Sequence, residues 1–323
     1  MQNIRTDLAS EAYEMLMEAA QELSGVSSEE EEREGMKITR VEIHSEEAQE
    51  KMGKPRGNYV TVEIPNAGVS DREEYEAACR ILSDEIKKLT GLREGASVLV
   101  VGLGNWNVTP DALGPEVVSQ LMVTRHLLEY VPEHVEEGIR PVCAISPGVL
   151  GITGMETGEI IRGVTEKIRP DLVIAVDALA ARSMERIHRT VQLCDTGIAP
   201  GAGVGNKRKE LSRDTLGVPV IAIGVPTVID AVTIAADAMQ SITDAMLESA
   251  GENAAFYQTL SNMNYEEQRQ LAKEALSPRM SDFIVTPKEV DRMIQQIAKI
   301  VANGINLALH DHISFREIEA YVS

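Results

Sequence analysis

Four short, almost wholly apolar runs recur in the middle of the sequence, and they constrain the fold more than any other feature. They cover residues 98–101, 141–145, 172–176 and 219–223. A strand that is covered on both faces reads as such a run, because neither of its faces meets water. The four runs therefore predict buried strands.

Segments with helical character lie between or after these strands, at 114–129, 156–168 and 227–248. Apolar strands that alternate with helices predict an α/β fold with a mostly parallel, twisted central sheet and helices on both faces. The C-terminal part is predicted to be helical, most clearly over 289–309, where apolar residues form one stripe. Because no linker divides the sheet-forming region, we expect 8–323 to form a single α/β domain with a helical C-terminal region.

The first ninety residues carry weaker signals. Apolar positions at helical spacing predict helices over 9–23 and 71–90, and runs of strand-forming residues predict strands at 37–44 and 58–65. The charged run SSEEEEREG, at 27–35, favours a solvated loop, because like charges repel and none of them can be buried unpaired.

The charge balance restricts the partners of the protein. Lysine and arginine total 31 against 51 aspartates and glutamates, which gives a net charge of −20 over 323 residues. Direct nucleic-acid binding is not expected, because binding to phosphates needs a surplus of cations. Cys79, Cys143 and Cys194 are too widely spaced for a zinc knuckle and favour reduced thiols. No stretch approaches a membrane span and no leader pattern opens the sequence, so we expect a cytoplasmic protein without membrane association.

A glycine-rich turn follows the first apolar strand, within VVGLGNWNVTPDALGP at 100–115. Gly102 and Gly104 permit a tight turn close to a ligand, but their spacing matches neither the dinucleotide-binding fingerprint nor the P-loop. Asp111 then precedes a helix. Taken alone, Asp111 favours a helix N-cap, a position for which aspartate is well suited.

A second aspartate weakens that interpretation. Asp177 follows the apolar run 172–176, where a buried carboxylate is costly unless it is paired, protonated or bound to a cation. Strand ends of one sheet can bring Asp111 and Asp177 face to face. Such a pair can share a proton, so that the charged member activates water and the neutral member protonates a leaving group. The same geometry could hold a metal with a histidine, or both residues could be unrelated helix caps.

Other candidate sites have less support. Neither Cys143 nor Cys194 has a histidine nearby in sequence, and the GxSxG pattern of serine hydrolases is absent. His310 and His312 are two residues apart and do not share a helix face, as a pair of metal ligands would. The glycine-rich segment at 196–208 favours either a loop over the strand ends or a flexible solvated loop.

Several long motifs resemble the germination protease family of spore-forming Firmicutes. They are GLGNWNVTPDALGP, VIAVDALAARS, TGIAPGAGVGNKR and the late TPKEVD and IAKIVANGINLALH. The resemblance implies an endopeptidase that degrades small acid-soluble spore proteins, the DNA coat of dormant spores, in the forespore or spore core. It implies an atypical aspartic mechanism without a cofactor, in which Asp111 and Asp177 are essential. It also implies a fold similar to hydrogenase-maturation endopeptidases, which use a carboxylate pair near a metal.

The same resemblance implies a zymogen that is trimmed near its N-terminus. The family's substrate motif is an acidic residue followed by an apolar residue, Ala, Ser and Glu, and DLASE at 7–11 fits it. We therefore expect self-cleavage between Asp7 and Leu8, with residues 1–7 as the propeptide, although the segment also reads as the first turn of a helix. Specificity for an acidic residue requires a nearby cation, and the candidates are Arg182, Lys207 and Arg208.

Three interpretations stay open. The first is the self-activating aspartic endopeptidase, for which the family resemblance also implies a homotetramer. The second is a metal-dependent maturation-type peptidase that uses the same carboxylates. The third is a non-catalytic protein that binds nickel or another small ligand on the same sheet.

Overall fold

A single sheet of nine strands organises the described part of the chain. The computed structural model describes residues 6–18, 24–65, 71–200, 209–249, 263, 265–276, 280, 283–311 and 313–322. The strands are β1 (Val26–Arg33), β2 (Met36–Ile43), β3 (Gly57–Glu63), β4 (Val98–Gly102), β5 (Val142–Ile145), β6 (Leu172–Ala181), β7 (Thr190–Cys194), β8 (Val220–Asp230) and β9 (Ile284–Val285).

The sheet is mixed, with a parallel half and an antiparallel half. Its strands lie in the order β1-β2-β3-β7-β8-β6-β4-β5, and β9 pairs with β8 outside this path. Strands β5, β4, β6 and β8 are parallel to one another and form the parallel half. Strands β1, β2, β3 and β7 pair antiparallel, and β7 also pairs antiparallel with β8; these four form the antiparallel half.

The prediction of a mostly parallel sheet is therefore wrong for the sheet as a whole. It holds for the four strands that the continuous apolar runs form, because helices cover both faces there. The other strands lie outside those runs: β1 and β2 form a hairpin through the turn at Glu34 and Gly35, and β3 continues the antiparallel order. Strand β2 alternates buried and exposed residues at both of its ends, which is typical of antiparallel strands.

Twelve α-helices lie within the described residues, together with short 3-10 turns. They are α1 (Ala9–Glu18), α2 (Glu46–Met52), α3 (Arg72–Thr90), α4 (Leu113–Ser119), α5 (Arg125–Tyr130), α6 (Leu150–Thr153), α7 (Thr157–Ile168), α8 (Arg213–Leu216), α9 (Ala231–Ser249), α10 (Tyr265–Ala275), α11 (Val290–Leu309) and α12 (Phe315–Val322). None of these helices combines the length and the apolar character that a membrane crossing needs.

Alternate residues of the parallel strands pack against opposite layers of helices. Val98 and Val100 of β4 belong to a core that includes α3 and α11, whereas Leu99 and Val101 pack with residues of α7 and α8. Burial of both faces requires an apolar residue at every position, which is the physical basis of the continuous runs. The prediction of helices on both faces of the sheet is confirmed.

Two of the long predicted helices, at 71–90 and 289–309, also match the structure. Helix α3 begins after Asp71, whose carboxylate accepts a hydrogen bond from the Glu73 N–H at 2.9 Å, and ends at Gly91 in the left-handed region (φ 52°). Helix α11 covers the segment predicted at 289–309 almost completely. The predicted helix at 114–129 is instead two short helices, α4 and α5, with residues 120–124 between them.

Three segments differ from expectation. The charged run predicted as a loop forms β1, because an edge strand needs only backbone pairing with β2 and can leave its glutamates in water. Strand β7 was not predicted, because it has five residues with Gln192 in the middle. Strand β8 continues through residues 227–230, which were predicted as helix, so α9 begins only at Ala231.

Candidate active site

Two neighbouring parallel strands, β4 and β6, bring the two predicted aspartates to one cavity. Asp177 lies within β6, and Asp111 ends a 3-10 turn that follows β4. The loop after β4 is tied to β6 by the Leu103 N–H, which donates to the Val176 carbonyl at 2.8 Å. Asp111 and Asp177 both line a cavity of about 420 Å³, but Asp177 lies in the middle of β6 rather than at the predicted strand end, because β6 stays paired with β8 as far as Ala181.

Gly104 allows the glycine-rich turn to fold directly against Asp111. Its φ of 115° is one that residues with a side chain rarely adopt. A Cβ at this position would lie 1.9 Å from the Asp111 carbonyl oxygen. The same carbonyl accepts a hydrogen bond from the Asn105 N–H at 2.9 Å, so the turn and the aspartate are held as one unit.

Asp177 is buried, with 5% of its surface exposed, whereas Asp111 is half-buried. One carboxylate oxygen of Asp177, Oδ1, accepts a hydrogen bond from the Ala178 N–H at 2.9 Å. The buried carboxylate therefore has a backbone donor that lowers the cost of burying its charge.

The N-terminal segment lies in the same cavity, alongside the end of β6. Asp7 also lines the cavity that holds Asp111 and Asp177. The Asp7 N–H donates to the Ala180 carbonyl at 3.1 Å, and the Ala180 N–H donates to Asp7 Oδ2 at 2.9 Å. Asp7 is thus held against β6 by its backbone and by its side chain.

Gln192 of β7 binds the segment from the other side. Its Nε2 donates to the Asp7 carbonyl oxygen at 2.9 Å, and its Oε1 accepts from the Ala9 N–H at 2.6 Å. One side chain therefore spans the Asp7–Leu8 peptide bond. Leu8 itself is fully buried.

Glu11, four residues beyond Asp7, is bound by the end of β6. Its carboxylate accepts hydrogen bonds from the backbone N–H groups of Arg182, at 2.8 Å, and Ser183, at 3.0 Å. It also accepts from the Thr6 hydroxyl and lies 3.8 Å from the Arg186 guanidinium. These donors explain how a glutamate can be buried at this position, with only 3% of its surface exposed.

Lys54 supplies a cation beside the acidic residue. Its Nζ donates to the Thr6 carbonyl oxygen at 2.9 Å, one residue before Asp7. Burial lowers the pKa of Lys54, and the negative charge of Asp7 partly opposes that change. Lys54, Asp7, Asp177 and Gln192 all line a second cavity, of about 190 Å³, on the side of the antiparallel half.

The remaining predicted site residues fall in different places. Arg182 contacts Glu11 through its backbone N–H. Burial raises the pKa of Asp237, and the guanidinium charge of Arg182 partly opposes that change. Lys207 and Arg208 lie outside the described residues. Sequence reasoning missed Lys54 and Gln192, which have ordinary surroundings in the sequence and reach the segment only through the fold.

The geometry gives little support to the alternative nucleophile and metal sites. Burial raises the pKa values of Cys143 and Cys194, which favours the unreactive thiol. His310 is buried and its ring contacts the Met122 carbonyl oxygen and the Arg140 N–H, while His312 lies outside the described residues. Among the side chains that the structure describes, no group of three or more His, Cys, Asp or Glu residues is placed to hold a metal ion.

The fold and the site together indicate the class: an α/β protein in which a bound peptide segment lines the same cavity as two carboxylates, an arrangement suited to a peptidase. Comparison with known proteins agrees. The model of the germination protease family matches residues 4–246 and 239–322. The chain belongs to the germination protease family and is an endopeptidase.

Relatives from several spore formers match the chain over nearly its whole length. It is 49% identical to a germination protease of Clostridium acetobutylicum, with all of both chains covered. It is 51% identical to one of Caldanaerobacter subterraneus, over 98% of this chain and 97% of the relative. It is 47% identical to one of Bacillus cereus, over 99% of this chain and 97% of the relative.

Proposed function

We propose that the protein is a zymogen of aspartic type that cuts its own Asp7–Leu8 bond with Asp111 and Asp177, releasing residues 1–7 as a propeptide. The observation that carries this proposal is the position of Asp7 in the cavity lined by both aspartates. The hydrogen bonds of Asp7 with Ala180 hold the segment against β6 and so keep its carbonyl group in a fixed position.

The chemistry divides between the two carboxyl groups. Two carboxyl groups in one cavity share a proton, because both cannot ionise easily at short range. The charged carboxylate takes a proton from water, whose oxygen attacks the Asp7 carbonyl carbon. The neutral carboxyl then gives its proton to the Leu8 nitrogen as the C–N bond breaks. Because one proton must remain on the pair, activity falls once both groups are ionised at high pH.

In this proposal the docked segment also explains how the uncut chain is kept inactive toward protein substrates. A protein substrate needs the backbone groups at the end of β6 that the segment of residues 6–11 binds in the uncut chain. Asp7 is held at Ala180 and beside Lys54, and Glu11 is held by the amides of Arg182 and Ser183. We propose that the same contacts select the acidic residue and the later glutamate of small acid-soluble spore proteins. Lys207 and Arg208 stay candidates for contacts with these acidic substrates.

The wider setting is also part of this proposal. The relatives are named germination proteases, which supports activity in the cytoplasm of the forespore and in the spore core. The net charge of −20 supports action on the spore proteins rather than direct binding to their DNA. We further propose self-association to a homotetramer and a fold relationship to hydrogenase-maturation endopeptidases. Light scattering of the purified chain tests the tetramer.

A metal-dependent reaction with the same carboxylates is the second candidate. It needs further ligands, which the described residues do not bring to Asp111 and Asp177 as a group of three. Chelator sensitivity of the cleavage distinguishes the two mechanisms.

The deciding experiment follows self-cleavage by intact mass and N-terminal sequencing at about pH 5.5, between the ordinary pKa values of Asp and His. The wild type is compared with Asp111→Asn and Asp177→Asn. Asp84→Asn is the control, because Asp84 lies on helix α3, where it pairs with Arg33. We expect the wild type and the control to begin at Leu8, with or without chelator, and both site variants to stay intact. Trimming in both site variants would refute the carboxylate pair, and trimming abolished by chelator would favour the metal mechanism.

A further inference from the structure

One amide side chain spans the bond proposed to be cut. Gln192 Nε2 donates to the Asp7 carbonyl oxygen at 2.9 Å, and Gln192 Oε1 accepts from the Ala9 N–H at 2.6 Å. We propose, building on the self-cleavage between Asp7 and Leu8, that Gln192 is a further catalytic residue: its amide N–H stabilises the negative charge that develops on the carbonyl oxygen of the acidic residue before the cut.

The two contacts fix the orientation of the amide. A backbone N–H can only donate, so it must face the oxygen of the Gln192 side chain, and a backbone carbonyl can only accept, so it must face the nitrogen. A flip of the amide group would set two donors against each other at Ala9 and two acceptors against each other at Asp7. The N–H is therefore held toward the carbonyl before the reaction begins.

The sheet places this amide opposite the buried aspartate. Gly224 of β8 pairs with Asp177 of β6 on one side and with Gln192 of β7 on the other. Side chains of residues paired in this way lie on the same face, and neighbouring strands are about 4.8 Å apart. Asp177 and Gln192 thus flank a position without a side chain. Asp7 and Asp177 together line both cavities and Gln192 lines the second, so the Asp7 carbonyl group accepts from the Gln192 amide in the neighbourhood of the buried carboxylate.

This arrangement supplies what the carboxyl pair lacks. When the water oxygen bonds to the Asp7 carbonyl carbon, the π electrons of the carbonyl move to its oxygen, which becomes negative. The Gln192 N–H donates to that oxygen, and the charge returns to the C=O bond as the C–N bond breaks and the Leu8 nitrogen receives its proton. A single donor of this kind contributes about 100- to 1,000-fold in rate, since it acts where charge develops.

The test compares rates of self-cleavage for the full chain and three variants over a range of pH. Gln192→Met keeps the size of the side chain without a strong donor, and Gln192→Glu keeps the acceptor for the Ala9 N–H but presents an oxygen to the Asp7 carbonyl. Gln120→Glu is the matched control, because the Gln120 amide contacts only its own helix, at the Glu116 carbonyl oxygen. We expect about 100-fold slower cleavage for Gln192→Met at every pH and an unchanged rate for Gln120→Glu.

The Gln192→Glu variant separates polarisation from positioning. Its cleavage rate, divided by that of the wild type, should rise as pH falls, because only a protonated carboxyl can donate to the Asp7 oxygen. Hydrogen exchange of the amides of residues 8–11, measured in the uncut Asp177→Asn background, reports whether the segment stays docked. Slow cleavage with retained docking supports the proposal. Cleavage within about twofold of wild type for Gln192→Met, a flat ratio for Gln192→Glu, or loss of docking would overturn it. A wild type that does not cut itself would instead refute the proposed function.

Discussion

The parallel and antiparallel halves of the sheet divide the site between them. The parallel half carries Asp177 within β6 and Asp111 in the turn that follows β4, and these are the two groups suited to proton transfer. Gln192 lies in the antiparallel half and Lys54 in the segment before β3, and both contact the backbone around the proposed cut. Strand β8 joins the halves, because it pairs with β6 in parallel and with β7 antiparallel. The difference teaches that the groups for proton transfer and the donor to the carbonyl oxygen can come from separate parts of one sheet, with the docked segment hydrogen-bonded to both β6 and β7.

The largest effect is expected from a change that moves the carboxylates of the parallel half. Gly104→Ala introduces a Cβ 1.9 Å from the Asp111 carbonyl oxygen, at a φ that alanine rarely adopts. The turn and Asp111 must shift, and a displacement of about 1 Å at a reacting group costs about 100-fold in rate. We expect self-cleavage, followed by intact mass, to slow by at least this factor.

Gly95→Ala is the control for that experiment. Gly95 also has a positive φ, of 71°, but a Cβ there meets no atom within 4 Å. It should carry the cost of backbone strain without loss of cleavage. If both variants cleave at the wild-type rate, the glycine turn does not position Asp111, and the assignment of proton transfer to the parallel half loses its support.

The parallel half could be predicted from the sequence because the patterns that indicate it are local. A strand buried on both faces reads as an apolar run, and Asp177 follows directly in the chain. Asp111 was found in the same way, after the glycine turn. What the runs did not show is how far the strands extend: β8 reaches Asp230 because β6 and β9 pair with its last three residues.

The antiparallel half was harder to foresee, because its signals are contacts between distant residues. Strand β1 is charged along most of its length and is held by its pairing with β2. Gln192 contacts Asp7, 185 residues away in the chain, and nothing in the sequence around either residue indicates this. Partners at such separations depend on strand order, which local patterns do not determine.

The second effect concerns stability in the antiparallel half as pH falls. His188, just before β7, is 1% exposed, and neither of its ring nitrogens has a hydrogen-bond partner among the described residues. Burial lowers its pKa from 6.5 to about 4. Between these values the unfolded chain binds a proton that the folded chain does not, so stability falls as pH falls. The free energy of unfolding should drop by about 2 kcal/mol between pH 7 and pH 5 from this residue alone.

Urea unfolding of His188→Asn at both pH values isolates this contribution, because the other titrating groups are common to both proteins. Asparagine is chosen since it tolerates the left-handed backbone of residue 188, where φ is 57°. The variant should lose about 2 kcal/mol less than the wild type between the two pH values. Equal losses in both proteins would show that the histidine is not held neutral by the fold.

A third, smaller effect is expected at the far end of the docked segment. Glu11→Gln removes the negative charge that accepts from the amides of Arg182 and Ser183 and lies near Arg186. Replacing one charge-assisted contact by a neutral one costs about 1.5 kcal/mol, which corresponds to about tenfold slower self-cleavage. Glu47→Gln is the control, because Glu47 is exposed and pairs only with Lys51 one helical turn away. Unchanged cleavage of Glu11→Gln would show that recognition of the docked segment ends before Glu11.

The smallest effect should come from the outer edge of the antiparallel half, which is far from the docked segment in strand order. Glu30 of β1 pairs with Lys37 of β2 at 2.8 Å, and both side chains are exposed, so water screens their attraction. Glu30→Gln should therefore change the free energy of unfolding by less than about 1 kcal/mol and leave self-cleavage unchanged. Because the charges of β1 also discourage pairing with another sheet edge, removing more of them should raise aggregation before it lowers activity. Slower self-cleavage of Glu30→Gln would mean that the edge strand affects the site. Strand β1 would then have to be counted among the elements that recognise the docked segment.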